Sequence, residues 1–222
     1  MYTEPPKSEK ALMENASLLA GKTIQELSCL YKEKIPSDIK YAKGWVGQFL
    51  ERILGASSGS NPQPDFEYIN VELKTIPIDD RGRPLESTYV CIVSLCGLTH
   101  ETWYNSLVKK KLSRVLWLPI ESGNHAELYK RRVGQAILWS PSYEEEYALK
   151  NDWEELTDLI NMGQLEEINA TFGKYLQIRP KALNSRALCW GLDALGMKKL
   201  TLPRGFYLRR LFTAQVLKEY YN

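Results

Sequence analysis

"NPQPDFEYINVELKTIP", residues 61–77, places Glu72 and Lys74 two positions apart in what reads as a half-buried strand. From Phe66 to Ile78 the residues alternate, with Ile69, Val71 and Leu73 on one face and Asn70, Glu72 and Lys74 on the other. Side chains of a strand alternate faces, so Glu72 and Lys74 project from the same side about 7 Å apart. Asp65 stands at or just before the start of this strand. A solvent-facing Glu-Lys pair is the plain meaning, since such tripeptides are frequent. The same group also suits phosphodiester hydrolysis. Two carboxylates can hold Mg²⁺ against a phosphate oxygen, the metal lowers the pKa of a bound water, and the lysine orients that water and offsets developing charge.

Outward from this stretch, "KGWVGQFLERILGA" (43–56) predicts a helix whose apolar stripe is Val46, Phe49, Leu50, Ile53 and Leu54, ended by Gly55. Glu51 lies off that stripe. Upstream, residues 8–31 read as two short helices parted at Gly21-Lys22-Thr23, with Thr23 as a new N-cap. Residues 57–64 are a loop by composition. Downstream, "DDRGRP" (79–84) is a turn and "STYVCIVSL" (87–95) reads as the strand returning from it. "RVLWLPI" (114–120) is a further strand after the basic run Lys109-Lys110-Lys111, and the acidic segment from Tyr143 to about Met162 reads as a helix. The last fifty residues combine strands, rich in Arg and Lys beside aromatic rings, with a final helix from about Thr213. Helices flanking a central run of strands argue an α/β or α+β fold.

The 222 residues suffice for one globular domain or two small lobes, burying roughly 70% of the unfolded surface. No apolar run approaches the roughly 20 residues of a membrane span and the first residues lack an apolar leader, so a cytoplasmic protein with no membrane partner is expected. Four cysteines without a CxxC pair and two histidines, His100 and His125, outside any zinc spacing predict reduced thiols and no zinc site. Any metal would then be a hard cation on oxygen ligands. The net charge of +2 hides an asymmetry: residues 144–167 hold nine acids against Lys150, a charge of −8 that leaves +10 elsewhere. That remainder suits a polyanion, with a solvated mixed surface as the plainer meaning, and the acidic helix is expected to face away from DNA.

Six blocks in one order go further. "KGWVGQFLERILGA", "PDFEYINVELKTIPID", "GRPLESTYVC", "KLSRVLW", "YLQIRPKA" and "LTLPRGFYL" resemble the MutH family of methyl-directed mismatch repair endonucleases over nearly the whole chain. The resemblance implies a type II restriction endonuclease-like core of the PD-(D/E)xK superfamily, a mixed central sheet flanked by helices in two lobes around a DNA cleft. It implies a single nuclease domain over residues 1–222, with lobes near 1–105, holding the catalytic group, and 106–222, holding the basic DNA-reading part. It also implies nicking of the unmethylated strand 5′ to the G of hemimethylated GATC, dependent on Mg²⁺, which Mn²⁺ or Ca²⁺ can replace in binding. Activation by MutL, with MutS upstream, and a monomer in the bacterial cytoplasm at the nucleoid follow from the same likeness.

Residue by residue, Asp65 and Glu72 match the family's metal ligands, Lys74 the signature lysine, Glu51 a further active-site acid and Lys111 a second active-site lysine. Arg179, Pro180 and Lys181 of "IRPK" and Tyr207 of "GFYL" match positions used for base contacts and methylation sensing, and Lys43 a backbone-contacting lysine. Reading the N6 group of adenine requires the major-groove edge, where a snug contact would reject a methyl. The gap from Asp65 to Glu72 is shorter than in many restriction enzymes but agrees with this family. Other readings stay open: a stand-alone GATC endonuclease of restriction type, and a basic DNA-binding protein whose Asp65, Glu72 and Lys74 are surface charges.

Overall fold

The computed structural model describes residues 3–37, 44–59, 62–96, 101–123, 127–169, 171–181 and 186–221. Helix α1 (Glu9–Ser17) and helix α2 (Ile24–Tyr31) part where expected, because the Thr23 hydroxyl accepts the Glu26 N–H while the Glu26 carboxylate takes the Thr23 N–H. Such a reciprocal cap satisfies two otherwise orphaned donors. Helix α3 (Trp45–Leu54) buries the whole predicted stripe and ends on Gly55, whose φ of 83° lies in the left-handed region. A Cβ on Gly55 would sit 2.6 Å from the Glu4 carbonyl oxygen, so glycine is required for conformation and for space.

Strand β1 (Glu72–Ile78) pairs in parallel with β3 (Val115–Glu121), and β3 pairs antiparallel with β4 (Arg132–Val133) and β5 (Ile137–Trp139). The strand expected from Phe66 begins only at Glu72. Residues Glu67–Ile69 form a 3₁₀ turn, Asn70 takes φ 51°, and Phe66 and Val71 exchange backbone hydrogen bonds at 2.9 and 3.3 Å. Strand β2 (Thr88–Ile92) does not return along β1 either; it pairs with β9 (Arg204–Leu208), while β1 has the parallel strand β3 as its partner. The turn before it holds as read: Asp79 Oδ1 accepts the Arg81 and Arg83 N–H groups at 2.9 and 2.8 Å.

Two compact units result. The first comprises residues 1–86, 113–140 and 217–222, the second 87–112 and 141–216, so neither follows a single cut near residue 105. Insertion of 87–112 between the parallel partners β1 and β3 is the reason. In the first unit, Phe49, Leu50, Leu73, Leu116 and Leu118 lie in one core with Leu12 and Leu27 of the N-terminal helices. Each such side chain contributes roughly 1.5–3 kcal/mol on burial. In the second, β2, β9 and β6 (Leu176–Pro180) form an antiparallel sheet, and β7 (Cys189–Leu192) pairs with β8 (Lys198–Thr201) as a hairpin. Short helix α4 (Leu107–Leu112) and the acidic helix α5 (Tyr143–Asn161) belong to this unit. Helix α6 begins at Arg210, earlier than expected, and ends at Tyr221.

The architecture is mixed α/β with a restriction endonuclease-like core, as the sequence implied. Among the described residues no helix is long and apolar enough to cross a membrane. The four cysteines form no disulfide with one another. His100, His125 and Lys43 lie outside the described residues.

Candidate active site

Seven extended residues would carry Asp65 about 23 Å from Glu72. The 3₁₀ turn instead brings the chain back, and Asp65 Oδ2 accepts the Leu73 N–H at 2.8 Å, on the edge of β1 opposite β3. The Asp65 carbonyl accepts the Ser57 and Ser58 N–H groups at 2.9 and 3.3 Å. On the other edge, the Glu72 N–H donates to the Arg114 carbonyl at 2.9 Å, which ties the strand to its neighbour at the residue that matters. A backbone N–H thus holds the Asp65 carboxylate on one edge, and a backbone bond anchors Glu72 on the other.

Neither acid is at the surface. Asp65 is 8% exposed and Glu72 2%, and the Lys74 ammonium donates to Glu72 Oε1 within the same shelter. Surface decoration is thereby excluded for Asp65 and Glu72. Burial pushes the Asp65 carboxyl up to about 6, and the Glu72 charge adds to this; Lys74 and the Leu73 N–H pull it down, and Glu51 raises it slightly. Like charges confined together make full ionisation costly. Glu51 joins from helix α3: a Cβ on Gly47 would lie 3.7 Å from Thr75 Oγ1 and 4.0 Å from Glu51 Oε1, so the carboxylate sits where helix meets strand. Its neighbour Arg52 turns elsewhere, into a two-bond pair with Glu33 at 2.8 and 2.6 Å.

Glu51, Asp65, Glu72 and Lys74 are therefore one group in the first unit. Lys111 belongs to the second, buried at the end of α4. Its part as a second active-site lysine is what the resemblance implies. Among the described residues no three His, Cys, Asp or Glu side chains converge as a metal cage. A small hard cation does not need one, since Mg²⁺ is commonly held by one or two carboxylates together with water and phosphate oxygens. Oxygen-only donors, one of them raised in pKa by burial and further by its neighbour's charge, fit such an ion.

The second unit gathers the other expected residues. On β6, Gln177 and Arg179 share one face by alternation, while Leu176 and Ile178 are buried on the other, and Lys181 follows directly after the strand. Arg179 and Lys181 are exposed. The Lys181 ammonium lies 3.0 Å from the centre of the Tyr89 ring, and Tyr89 meets Tyr207 edge-on with centroids 5.3 Å apart. Ser87 Oγ accepts Gln177 Nε2 at 2.9 Å and Arg179 Nη1 at 3.4 Å. Pro180 pairs in register with Arg204, and the Lys181 N–H donates to the Pro203 carbonyl at 2.7 Å.

Several of these residues escaped the sequence reading. Tyr89 and Ser87 stand in the block "GRPLESTYVC", but only the β2–β9 pairing sets them beside Lys181 and Tyr207. Gly205 is fixed by the same crowding: a Cβ there would lie 2.8 Å from Tyr89 Cε2 and 3.3 Å from Tyr207 Cε2. Asp152 looked like one more acid of the −8 segment. It is 7% exposed and accepts the N–H groups of Lys174, Tyr175 and Leu176 at 2.7, 2.6 and 2.8 Å, anchoring the start of β6. Gln177 alone was legible, two positions before Arg179 on a strand.

Residues 54–152, which include Asp65, Glu72, Lys74 and Lys111, match the family described as DNA mismatch repair enzyme MutH. The chain is 50% identical over 221 residues to a DNA mismatch repair protein MutH of Pectobacterium atrosepticum, covering 100% of this chain and 96% of the relative. The corresponding protein of Photorhabdus laumondii is 51% identical over 217 residues, 98% of this chain and 95% of that one, and one from Escherichia coli is 50% identical with the same coverage. At that identity over essentially the full length, with the paired carboxylates and lysine folded into one buried site, the chain belongs to the MutH family of DNA mismatch repair enzymes.

Proposed function

We propose that this protein is a Mg²⁺-dependent DNA endonuclease that nicks the unmethylated strand 5′ to the G of hemimethylated GATC and acts when stimulated by MutL, with MutS upstream. The observation that carries the chemistry is the group in which the buried Asp65 and Glu72 act on one another and Lys74 bonds Glu72. A hard divalent cation bound by these carboxylates supplies charge neutralisation and Lewis acidity at the scissile phosphate. Asp65 and Glu72 would hold such an ion, and their burial excludes water that would weaken the field. Lys74, two positions along the same strand, orients the attacking water and offsets charge developing on the phosphate. Glu51 joins this group as a further acid, and the family resemblance assigns Lys111 the part of a second lysine in the chemistry. Mn²⁺ or Ca²⁺ would replace Mg²⁺ in binding by virtue of the same oxygen donors.

Recognition is assigned to Arg179, Pro180, Lys181 and Tyr207, with Lys43 on the backbone. An exposed Arg and Lys at one strand end beside two tyrosines in edge-on contact suit phosphate and base-edge contacts, and a tyrosine against adenine N6 would lose its fit to a methyl group. The acidic helix α5 then lies away from the phosphate backbone, which crosslinks from α5 into bound duplex would refute. A monomer working in the cytoplasm at the nucleoid suits this task.

The test is a nicking assay on hemimethylated plasmid with and without MutL and Mg²⁺. A strand-specific nick that needs Mg²⁺ and rises with MutL is expected. Rapid linearisation of unmethylated plasmid without MutL would point to a stand-alone restriction-type enzyme. Cleavage that survives both Glu72→Gln and Lys74→Ala would overturn the active site.

A further inference from the structure

Between β6 and β9 the chain makes an excursion, the β7–β8 hairpin, which the proposed chemistry and recognition leave unused. The two strands that bracket it are antiparallel partners, and their shared end is where Pro180 pairs with Arg204 and Lys181 bonds Pro203. The hairpin therefore springs from the end that carries Arg179, Pro180 and Lys181. Trp190 pairs directly with Leu200 across it. One face is packed: Gly191 is buried, and a Cβ there would approach Thr201 Cγ2, Leu95 and Leu165.

The other face is apolar and exposed. Trp190 is 58% and Leu200 54% exposed, and the tip residues Leu195 and Met197 reach 84% and 64%. Apolar side chains so exposed on a projecting hairpin mark an interaction surface. Charge decides the partner. Residues 186–201 contain Arg186, Lys198 and Lys199 against the single acid Asp193, and of these Lys199 is engaged by Glu166 at 3.5 Å, which leaves Lys198 as the lysine of the exposed face. That acid is consumed inside the turn, where its Oδ1 accepts the Leu195 and Met197 N–H groups at 2.9 Å each. A cationic ribbon with an apolar tip matches a polyanion with an apolar interior, and that is duplex DNA.

We infer that the β7–β8 hairpin is a second DNA-contacting element, which sets Leu195 and Met197 as a wedge against the base pairs flanking the recognition site while Lys198 meets the adjoining phosphates. Architectural DNA-binding proteins use this combination: basic side chains hold the backbone and a Leu or Met side chain partly unstacks a base step and bends the duplex. The inference rests on the proposed DNA-cleaving function and extends its footprint beyond GATC.

The test measures, on the full-length protein with Ca²⁺ in place of Mg²⁺, binding to GATC duplexes with flanks of about ten or about three base pairs. Long flanks should tighten wild-type binding about tenfold, and end-to-end energy transfer should report a bend. In Leu195→Ser/Met197→Ser the long-to-short ratio should fall to about one and the bend disappear. Lys198→Ala should lower the slope of log affinity against log salt by about one. Because the readout is a ratio within one preparation, partial loss of folded protein does not mimic it. An unchanged ratio and bend in the double variant overturns the inference. So does a wild-type dimer dispersed by the same substitutions, which would give this face to a second copy. If wild-type protein ignores GATC altogether, the proposed function fails first, whereas GATC cleavage without flank dependence sinks only the hairpin's role.

Discussion

In the first unit the functional charges are withdrawn from water and held by backbone bonds: Asp65 by Leu73, Glu72 by Arg114, with Lys74 against Glu72. In the second the charges proposed for recognition stand at the surface, where the Arg179 side chain bonds Ser87 and the Lys181 ammonium lies over Tyr89. The contrast teaches what each task demands. Chemistry on a phosphate gains from a low local dielectric and fixed charges, since an ion pair interacts several-fold more strongly there than in water. Recognition needs donors that reach a ligand, so its residues stay exposed and are positioned by neighbours instead of by burial.

That division can be broken most sharply at Glu72. Glu72→Gln keeps shape and removes charge; nicking should drop on the order of 10³-fold, the scale for losing a preorganised electrostatic group, while GATC binding measured without cleavage stays within a few-fold. Equal losses in both would dissolve the distinction. Asp65 tests the burial itself. Its pKa in the folded protein, about 6, stands above its ordinary 3.8. The native state thus holds the proton more tightly, and stability falls as pH rises from about 4 to about 6. Asp65→Asn should therefore stabilise the protein above pH 6 by up to about 3 kcal/mol, because each tenfold change in proton affinity between the folded and unfolded chain corresponds to about 1.4 kcal/mol. The gain should be small at pH 4, in denaturant titrations with chelator present. A constant difference across that window would mean the carboxylate is not strained by its surroundings.

Gly205 probes the opposite side. Gly205→Ala forces a methyl against the Tyr89 ring, an overpacking worth about 1–3 kcal/mol, and should weaken GATC binding about tenfold while nicking at saturating DNA changes far less. A drop confined to nicking rate would move Tyr89 and Tyr207 out of the reading surface. The smallest effect is expected for Lys181→Gln, a loss of several-fold in affinity with a salt slope lower by about one, read by anisotropy at stepped salt.

The sequence by itself determined the local features. Thr23, Gly55 and the Val46–Leu54 stripe specified their helices because caps, left-handed glycines and apolar periodicity are short-range physics. Asp79 and Gly82 did the same for the turn after β1. The signature Asp65, Glu72 and Lys74 was visible as a pattern, and the flanking blocks gave it a meaning. Only the tertiary structure decided which strands pair and which acids are buried. An alternating stretch from Phe66 to Ile78 can be one strand or a turn and a strand, and the choice was made by Asp65 accepting the Leu73 N–H. Asp152 and the other acids of α5 look alike in sequence, yet one of them anchors β6 from a buried position because three backbone donors converge on it. Strand order and burial depend on partners far away in the chain, and no local pattern encodes those.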